Sequence, residues 1–305
     1  MTVEEHLSRF AGVPVVEFDQ DAEPEPGAAA AWAVRVSYDG DPFSDVFQRF
    51  IATVDTASVT HLVIGFWAAD YETSAAEPLQ MLVDAAPRLP NLKALFFGDI
   101  VREEAEISWI KQCDVSPLFG AYPALERLDV RGGMELELPP LSSTALKVLR
   151  FESGGLPAEV VRAIGASDLP NLQTLDLWLG DREYGGNTTV DDLAGILGGE
   201  RLPALTRLGL MNSEIQDEIC AAVATAPVVA RLSELALSMG VLTNDGAKAL
   251  LSGQPLTHLI ELDLRHHYLT GPMAARLRSA LSQVKLLLLD DPESVRDGRY
   301  VAVSE

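Results

Sequence analysis

Apolar and polar positions recur along the 305-residue chain in a fixed phrase. Its clearest form is Leu169-Pro170-Asn171-Leu172-Gln173-Thr174-Leu175-Asp176-Leu177. The phrase returns from Leu202 to Leu210, from Leu89 to Phe97 and from Tyr122 to Val130. Shorter copies run Leu146 to Phe151, Leu232 to Leu237 and Leu259 to Leu264. The common core is an apolar residue, two variable positions, leucine, one variable position and a second apolar residue. Taking the second leucine as anchor gives Leu62, Leu95, Leu128, Leu149, Leu175, Leu208, Leu235, Leu262 and Leu287. The spacings are 33, 33, 21, 26, 33, 27, 27 and 25 residues. Val34, 28 residues before Leu62, is expected to open the series.

Within the phrase the alternation has period two, which predicts a short strand. Between phrases the period becomes helical. Helices are expected near 42–55, 157–166, 215–226, 242–251 and 269–281, the last with Met273, Leu277 and Leu281 on one face. Thr243 or Asn244, and Thr270 with Pro272 in the first turn, are the expected caps. Strand and helix repeating at about 27 residues require parallel strands, because each crossover must return the chain to the same end of the sheet. The 21-residue interval from Leu128 to Leu149 contains Pro139-Pro140 and is too short for a regular helix. An extended or 3₁₀ crossing is expected there. At the N-terminus a strand is expected over 13–18, followed by an acidic, proline-containing loop over 19–27. The polar tail after Asp290 is expected to fray.

These L-x-x-L-x-L cores and repeat lengths resemble the leucine-rich-repeat family, in its ribonuclease-inhibitor-like, helix-containing class. The resemblance spans residues 30–290. The segment His6 to Asp19, taken with the whole arrangement, also resembles an uncharacterised actinobacterial leucine-rich-repeat family. The resemblance implies an α/β solenoid, a horseshoe with parallel β-strands on its concave face and helices on its convex face. It implies one continuous solenoid domain: an N-terminal cap over 1–57 that includes the first strand–helix unit, repeats over 58–290, and a tail over 291–305. The family places Asn or Cys five residues after the anchor. Here those positions hold Trp67, Ile100, Gly133, Gly154, Gly180, Ser213, Gly240 and His267. An asparagine ladder is therefore absent, and the turns need another solution.

Charge narrows the partners. The chain has 23 basic and 45 acidic residues, a net charge of −22. That field repels phosphate backbones and anionic membranes and favours a basic protein or a cationic ligand. Cys113 and Cys220 have no metal-ligand spacing and are expected to be buried free thiols. Met1 to Phe10 lacks a signal-peptide core, and no apolar run approaches the ~20 residues of a membrane span. A soluble, cytoplasmic protein is expected. Arginine outnumbers lysine 18 to 5, a bias of GC-rich bacterial genomes. No nucleophile, phosphate-binding or zinc motif occurs. His266 and His267 are adjacent, and are read as turn or surface residues. The chain is read as non-enzymatic, with no cofactor or metal site.

Two surfaces are candidates. The residue after each anchor gives the strip Val63, Phe96, Asp129, Arg150, Asp176, Gly209, Ala236, Asp263 and Leu288, with Trp178 two positions further out in its repeat. Its charges are expected to face one another at the ~4.8 Å strand spacing. The three 33-residue repeats have extra residues, expected just after their strands and on one rim. They carry Trp67, Asp70, Tyr71 and Glu72, then Asp99, Glu103, Glu104 and Glu106, then Asp181, Glu183 and Tyr184. Aromatic rings among carboxylates suit an arginine-rich partner. A protein–protein interaction scaffold with a basic partner is the expected function. The alternatives are a regulatory or enzyme-associated subunit that takes a small cationic ligand or metal in the acidic loops, and a self-assembling structural protein. Trp67 and Trp109 could instead fill the core.

Overall fold

A computed structural model of the chain describes residues 3–19, 30–67, 73–296 and 298–305. The fold is α/β. Strand order is chain order, β1 to β12. β1 (Arg9–Phe10) pairs with β2 (Val13–Glu17) antiparallel, the other strand pairs described are parallel, and an isolated bridge from Gly155 to Gly180 is antiparallel. The remaining strands are β3 (Ala31–Val34), β4 (His61–Gly65), β5 (Ala94–Asp99), β6 (Arg127–Arg131), β7 (Val148–Glu152), β8 (Thr174–Gly180), β9 (Arg207–Ser213), β10 (Glu234–Ala236), β11 (Glu261–Asp263) and β12 (Leu286–Leu288). The helices are α1 (Phe43–Thr53), α2 (Ala76–Asp84), α3 (Pro117–Ala121), α4 (Ala158–Ala166), α5 (Ala194–Gly198), α6 (Gln216–Val223), α7 (Asn244–Ser252) and α8 (Gly271–Ala280).

The chain divides into two compact units. Unit 1 comprises Met1–Pro139, Ala145–Leu149 and Glu305; unit 2 comprises Pro140–Thr144 and Arg150–Ser304. The boundary falls in the short repeat. Residues 132–147 contain no helix and cross by isolated parallel bridges, Lys111 to Met134 and Asp114 to Glu137 in unit 1 and Ser142 to Asp168 in unit 2.

The anchors stack in register. In unit 1, Leu62 faces Leu95 and Leu95 faces Leu128; in unit 2, Leu175 faces Leu208, then Leu235, Leu262 and Leu287. From Leu62 to Leu262 the anchors are at most 1% exposed. The first strand departs from the expected register. Trp32, not Val34, pairs with Leu62, and Val34 pairs with Ile64. The slip is two residues, so Val34 still points to the leucine side and is fully buried.

Helices cover this leucine side. Met273 and Leu277 of α8, and Leu281 just after it, are buried as the 3.6-residue period requires. Side chains staple the starts of α7 and α8 to the neighbouring repeat. Asp217 accepts hydrogen bonds from the Thr243 and Gly246 amides and the Thr243 hydroxyl, at the start of α7. Asn244 in turn accepts from the Thr270 amide, at the start of α8. The acceptors satisfy helix amides that have no partner within the helix. Thr243 also caps α7, accepting from the Asp245 amide, whereas the Thr270 side chain makes no cap bond of its own.

The turns replace the missing asparagine ladder one by one. Gly180 has φ 76°, and a Cβ there would lie 1.9 Å from the Gly154 carbonyl oxygen, so only glycine fits. The Ser213 hydroxyl accepts from the Ile215 amide. His267 is fully buried, its ring accepting from the Leu269 amide and contacting the Asp290 carbonyl. Burial lowers its pKa, so it is a neutral structural residue and not a surface one.

The tail does not fray at its end. Val301 is 5% exposed, and Tyr300, Ala302 and Val303 are hydrogen-bonded to the repeats of unit 2. No helix among the described residues is long and apolar enough to cross a membrane. Replacing Leu175 with Asp would bury a carboxylate in the stacked leucines. Leu175→Asp should cost more than about 4 kcal/mol and abolish the parent's cooperative melt, followed by circular dichroism. An unchanged melt would contradict the inward placement of the anchors.

Candidate functional site

The strip beside the anchors is apolar at its start in unit 1. Ala31, Ala33, Val63, Ala94 and Phe96 form one cluster with Phe10. Phe10 reaches it because Gly12, at φ 87°, helps turn β1 back along β2. Its ring meets Phe96 edge-on at 5.9 Å, and the Arg127 guanidinium lies 5.0 Å from its centroid. Phe96 is therefore 1% exposed, closed off by the chain's own N-terminal hairpin.

Asp99 anchors this hairpin. The carboxylate is fully buried and receives the Leu7 amide, Arg35 at 2.5 Å and Arg131 at 3.4 Å. His6 approaches it at 3.6 Å with Nδ1, while its Nε2 lies 3.2 Å from Glu104. Glu104 also accepts from the Val101 amide. Burial pushes the Asp99 pKa up, but His6, Arg131 and Arg35 outweigh it and hold the carboxyl below its ordinary range. Asp99 and Glu104 raise His6 from 6.5 to about 9. Asp99 and Glu104, read in the sequence as rim residues, thus hold the N-terminus down.

Other strip charges find partners within their own unit. In unit 1, Arg127 grips Asp129 with two bonds, 2.9 and 2.7 Å. In unit 2, Arg150 pairs with Glu152 at 2.9 Å and lies 5.7 Å from the Trp178 ring. Arg207 bonds Asp176 at 3.3 Å and Glu234 at 2.7 Å. Asp129, Asp176 and Trp178 are all buried. Trp67 is buried and stacks on Phe97 at 5.5 Å, so it serves the core of unit 1. Asp70, Tyr71 and Glu72 lie outside the described residues, as does nearly all of the acidic loop at 19–27.

The loops keep fewer free groups than their composition suggests. After β8, Asp181 accepts from the Glu183 amide and caps a short 3₁₀ turn, Glu183 is exposed and Tyr184 is half-buried. After β5, Glu103 is exposed and Glu106 is half-buried. Trp109 of the same loop is 49% exposed. It lies just before Lys111, which bridges to Met134, itself 37% exposed. Glu135, beside Met134, is exposed and lies 4.0 Å from Lys111. Neither Trp109 nor Met134 was distinguished in sequence from core residues. The available signal was a single tryptophan in a loop dense in carboxylates.

The thiols are not activated. Burial pushes Cys113 up to about 12, and Cys220, fully buried, also moves up. Cys113 is only half-buried, short of the expected full burial. Among the described residues no three His, Cys, Asp or Glu side chains are grouped to hold a metal ion.

The proton on His6 stabilises the docked hairpin. That contribution is complete below pH 6.5, the ordinary histidine value, and is lost as pH rises through about 9. Melting temperature and hydrogen exchange at the Leu7 amide should both report a weakening between pH 6.5 and 9, which His6→Gln should flatten. Asp99→Asn would leave two buried guanidiniums with reduced pairing and should cost about 3–5 kcal/mol in a denaturant titration. A parent stability constant over that pH range would contradict the His6 contribution.

No protein-family model and no curated protein matches the chain. Among solved structures, the chain is similar to a Bacteroides fragilis protein of known crystal structure. The two are 28% identical with a TM-score of 0.79, over 92% of this chain and 79% of the other.

Proposed function

We propose that the chain is a leucine-rich-repeat-type solenoid acting as a non-enzymatic protein-binding module, with a basic partner docking on the loop after β5 in unit 1. The observation that carries this is Trp109, half exposed at the end of a short 3₁₀ turn (Ile107–Trp109) two residues before Lys111, which bridges to the exposed Met134, with Glu103, Glu106 and Glu135 in the same two segments. An exposed tryptophan in a segment bridged to one that carries a second exposed apolar side chain is an interface feature. Arginine suits it doubly, stacking on the indole while pairing with carboxylates. The net charge of −22 speeds encounter with such a partner.

The charged strip is a poorer candidate. Asp129 and Asp176 are buried and bonded to arginines, so a partner would have to break those pairs to reach them. The groups best suited to catalysis are also engaged in structure, with His267 sealed and both thiols shifted upward.

The test is affinity capture from host lysate, eluted by a salt step and read by mass spectrometry. The baits are the parent, Trp109→Ala, and the double variant Glu103→Gln with Glu106→Gln. These side chains are wholly or partly exposed, so each variant should keep its stability to about 0.5 kcal/mol. A basic protein retained by the parent and lost from both variants is expected. Equal retention on all three baits would remove this loop as the site. Absence of any specific protein on the parent would remove the protein-binding reading.

A further inference from the structure

One position in the repeat is occupied by strained, non-glycine backbone three times in succession. Asn212, Met239 and His266 stand 27 residues apart, each four residues after its anchor, with φ of 54°, 67° and 55°. Side chains other than glycine seldom adopt this region, and their persistence there is a reason to look for a role. All three bind the same segment of unit 2. The Met239 carbonyl accepts from the Ala302 amide at 2.8 Å. The Asn212 side-chain amide is bidentate, accepting from the Val303 amide at 2.9 Å and donating to the Val303 carbonyl at 2.5 Å. His266 Nε2 donates to the Tyr300 carbonyl at 2.9 Å. The Tyr268 hydroxyl accepts from the Tyr300 amide at 2.8 Å and donates to its carbonyl at 3.0 Å.

Every one of these bonds is to main chain. The site reads Tyr300 to Val303 as an extended peptide, whatever its side chains. One side chain adds selectivity: Val301 is 5% exposed, whereas Tyr300 is 53% exposed. The connection is exposed at residues 291–296 and 298–300, and is tied to the repeats at Glu293, whose amide donates to the His267 carbonyl at 2.8 Å. The arrangement is that of a receptor holding a tethered ligand.

We infer that Asn212, Met239, His266 and Tyr268 form a binding site for an extended peptide carrying a small aliphatic residue, which the chain's own Tyr300–Val303 occupies and blocks. Recognition by main-chain bonds with one side-chain pocket is a recurring way of binding peptides. The tail has the advantage of its tether. Even a short, fully flexible connection would give an effective concentration of about millimolar, so a free peptide at micromolar concentration loses to the tethered segment. Releasing the tail opens the site to a partner in trans. The inference rests on unit 2 alone and is independent of the loop after β5.

The probe is a fluorescent synthetic peptide with the sequence of residues 298–305, followed by anisotropy. Val301→Asp places a charge where Val301 is buried and should lift the tail. The full-length variant should bind the peptide at least about tenfold more tightly than the parent, and adding Asn212→Gly should reverse that gain. Glycine keeps the left-handed backbone and removes the amide clamp together with the 3.3 Å bond from the Asn212 amide to the Ser153 carbonyl. A second version does not depend on Val301→Asp folding. A protease site is inserted after Arg296 in the full chain and cut after folding. Retention of the severed tail through dialysis, or its replacement by the labelled peptide, supports the site. A cut chain that keeps its circular dichroism spectrum, loses its tail and takes up no peptide overturns it. So does a folded Val301→Asp variant with no affinity for the peptide.

Discussion

Leu62, Leu95 and Leu128 in one unit, and Leu175, Leu208, Leu235 and Leu262 in the other, lie buried because each strand sets its leucine against the same position of the next. A strand of three to seven residues has no core of its own. Its apolar side is removed from water only when a neighbouring repeat stacks on it in register. A one-residue slip would turn every leucine to the opposite side. The helix staples and the close turn at Gly180 follow from this requirement, since both hold successive repeats at one spacing.

The other side of the strands has no repeating leucine, and it is closed in different ways along the chain. Where the strip is apolar, at Val63 and Phe96, it is covered by Phe10 from the N-terminal hairpin. Where it is charged, arginines bond the carboxylates, as Arg127 does for Asp129 and Arg207 for Asp176. Buried charges are costly to strip of water and are tolerated only when paired and hydrogen-bonded. The hairpin itself depends on Asp99, which gathers Arg35, Arg131 and the Leu7 amide at one carboxylate. These residues are committed to the fold. Functional surface is therefore sought at exposed loops and at the turn residues.

Two segments of this chain serve as covers, and their consequences differ. The N-terminal hairpin is fixed by apolar burial together with buried ion pairs, so it belongs to the core of unit 1. The tail is held by main-chain bonds and one valine, with an exposed connection behind it. Those ties are the ground for inferring that the tail can be displaced, where the hairpin cannot.

The repeat was legible in the sequence because its determinants are local. Period two gives the strand, period 3.6 gives the helix, and both survive without knowledge of neighbours. Met273, Leu277 and Leu281 were assigned to one buried face on this basis, and so were the anchors. The extended crossing after Leu128 followed from length and from Pro139-Pro140. The first register was misread, with Val34 taken for Trp32, because a two-residue shift preserves the inward face and leaves no pattern violated. Carboxylates were the least legible. Asp99, Glu103 and Glu106 look alike in sequence, yet Asp99 is buried among cations from residues 6, 35 and 131 while Glu103 is exposed. The strap at Tyr300 was equally invisible, since its partners lie 32 to 91 residues away and the bonds are to main chain. Sequence alone determined the repeating strand and helix and the leucine side, because burial of a periodic face needs only the residues that carry it. Tertiary structure decided which charges are free and which segments close the strips, because pairing and cover depend on what distant parts of the chain bring into contact.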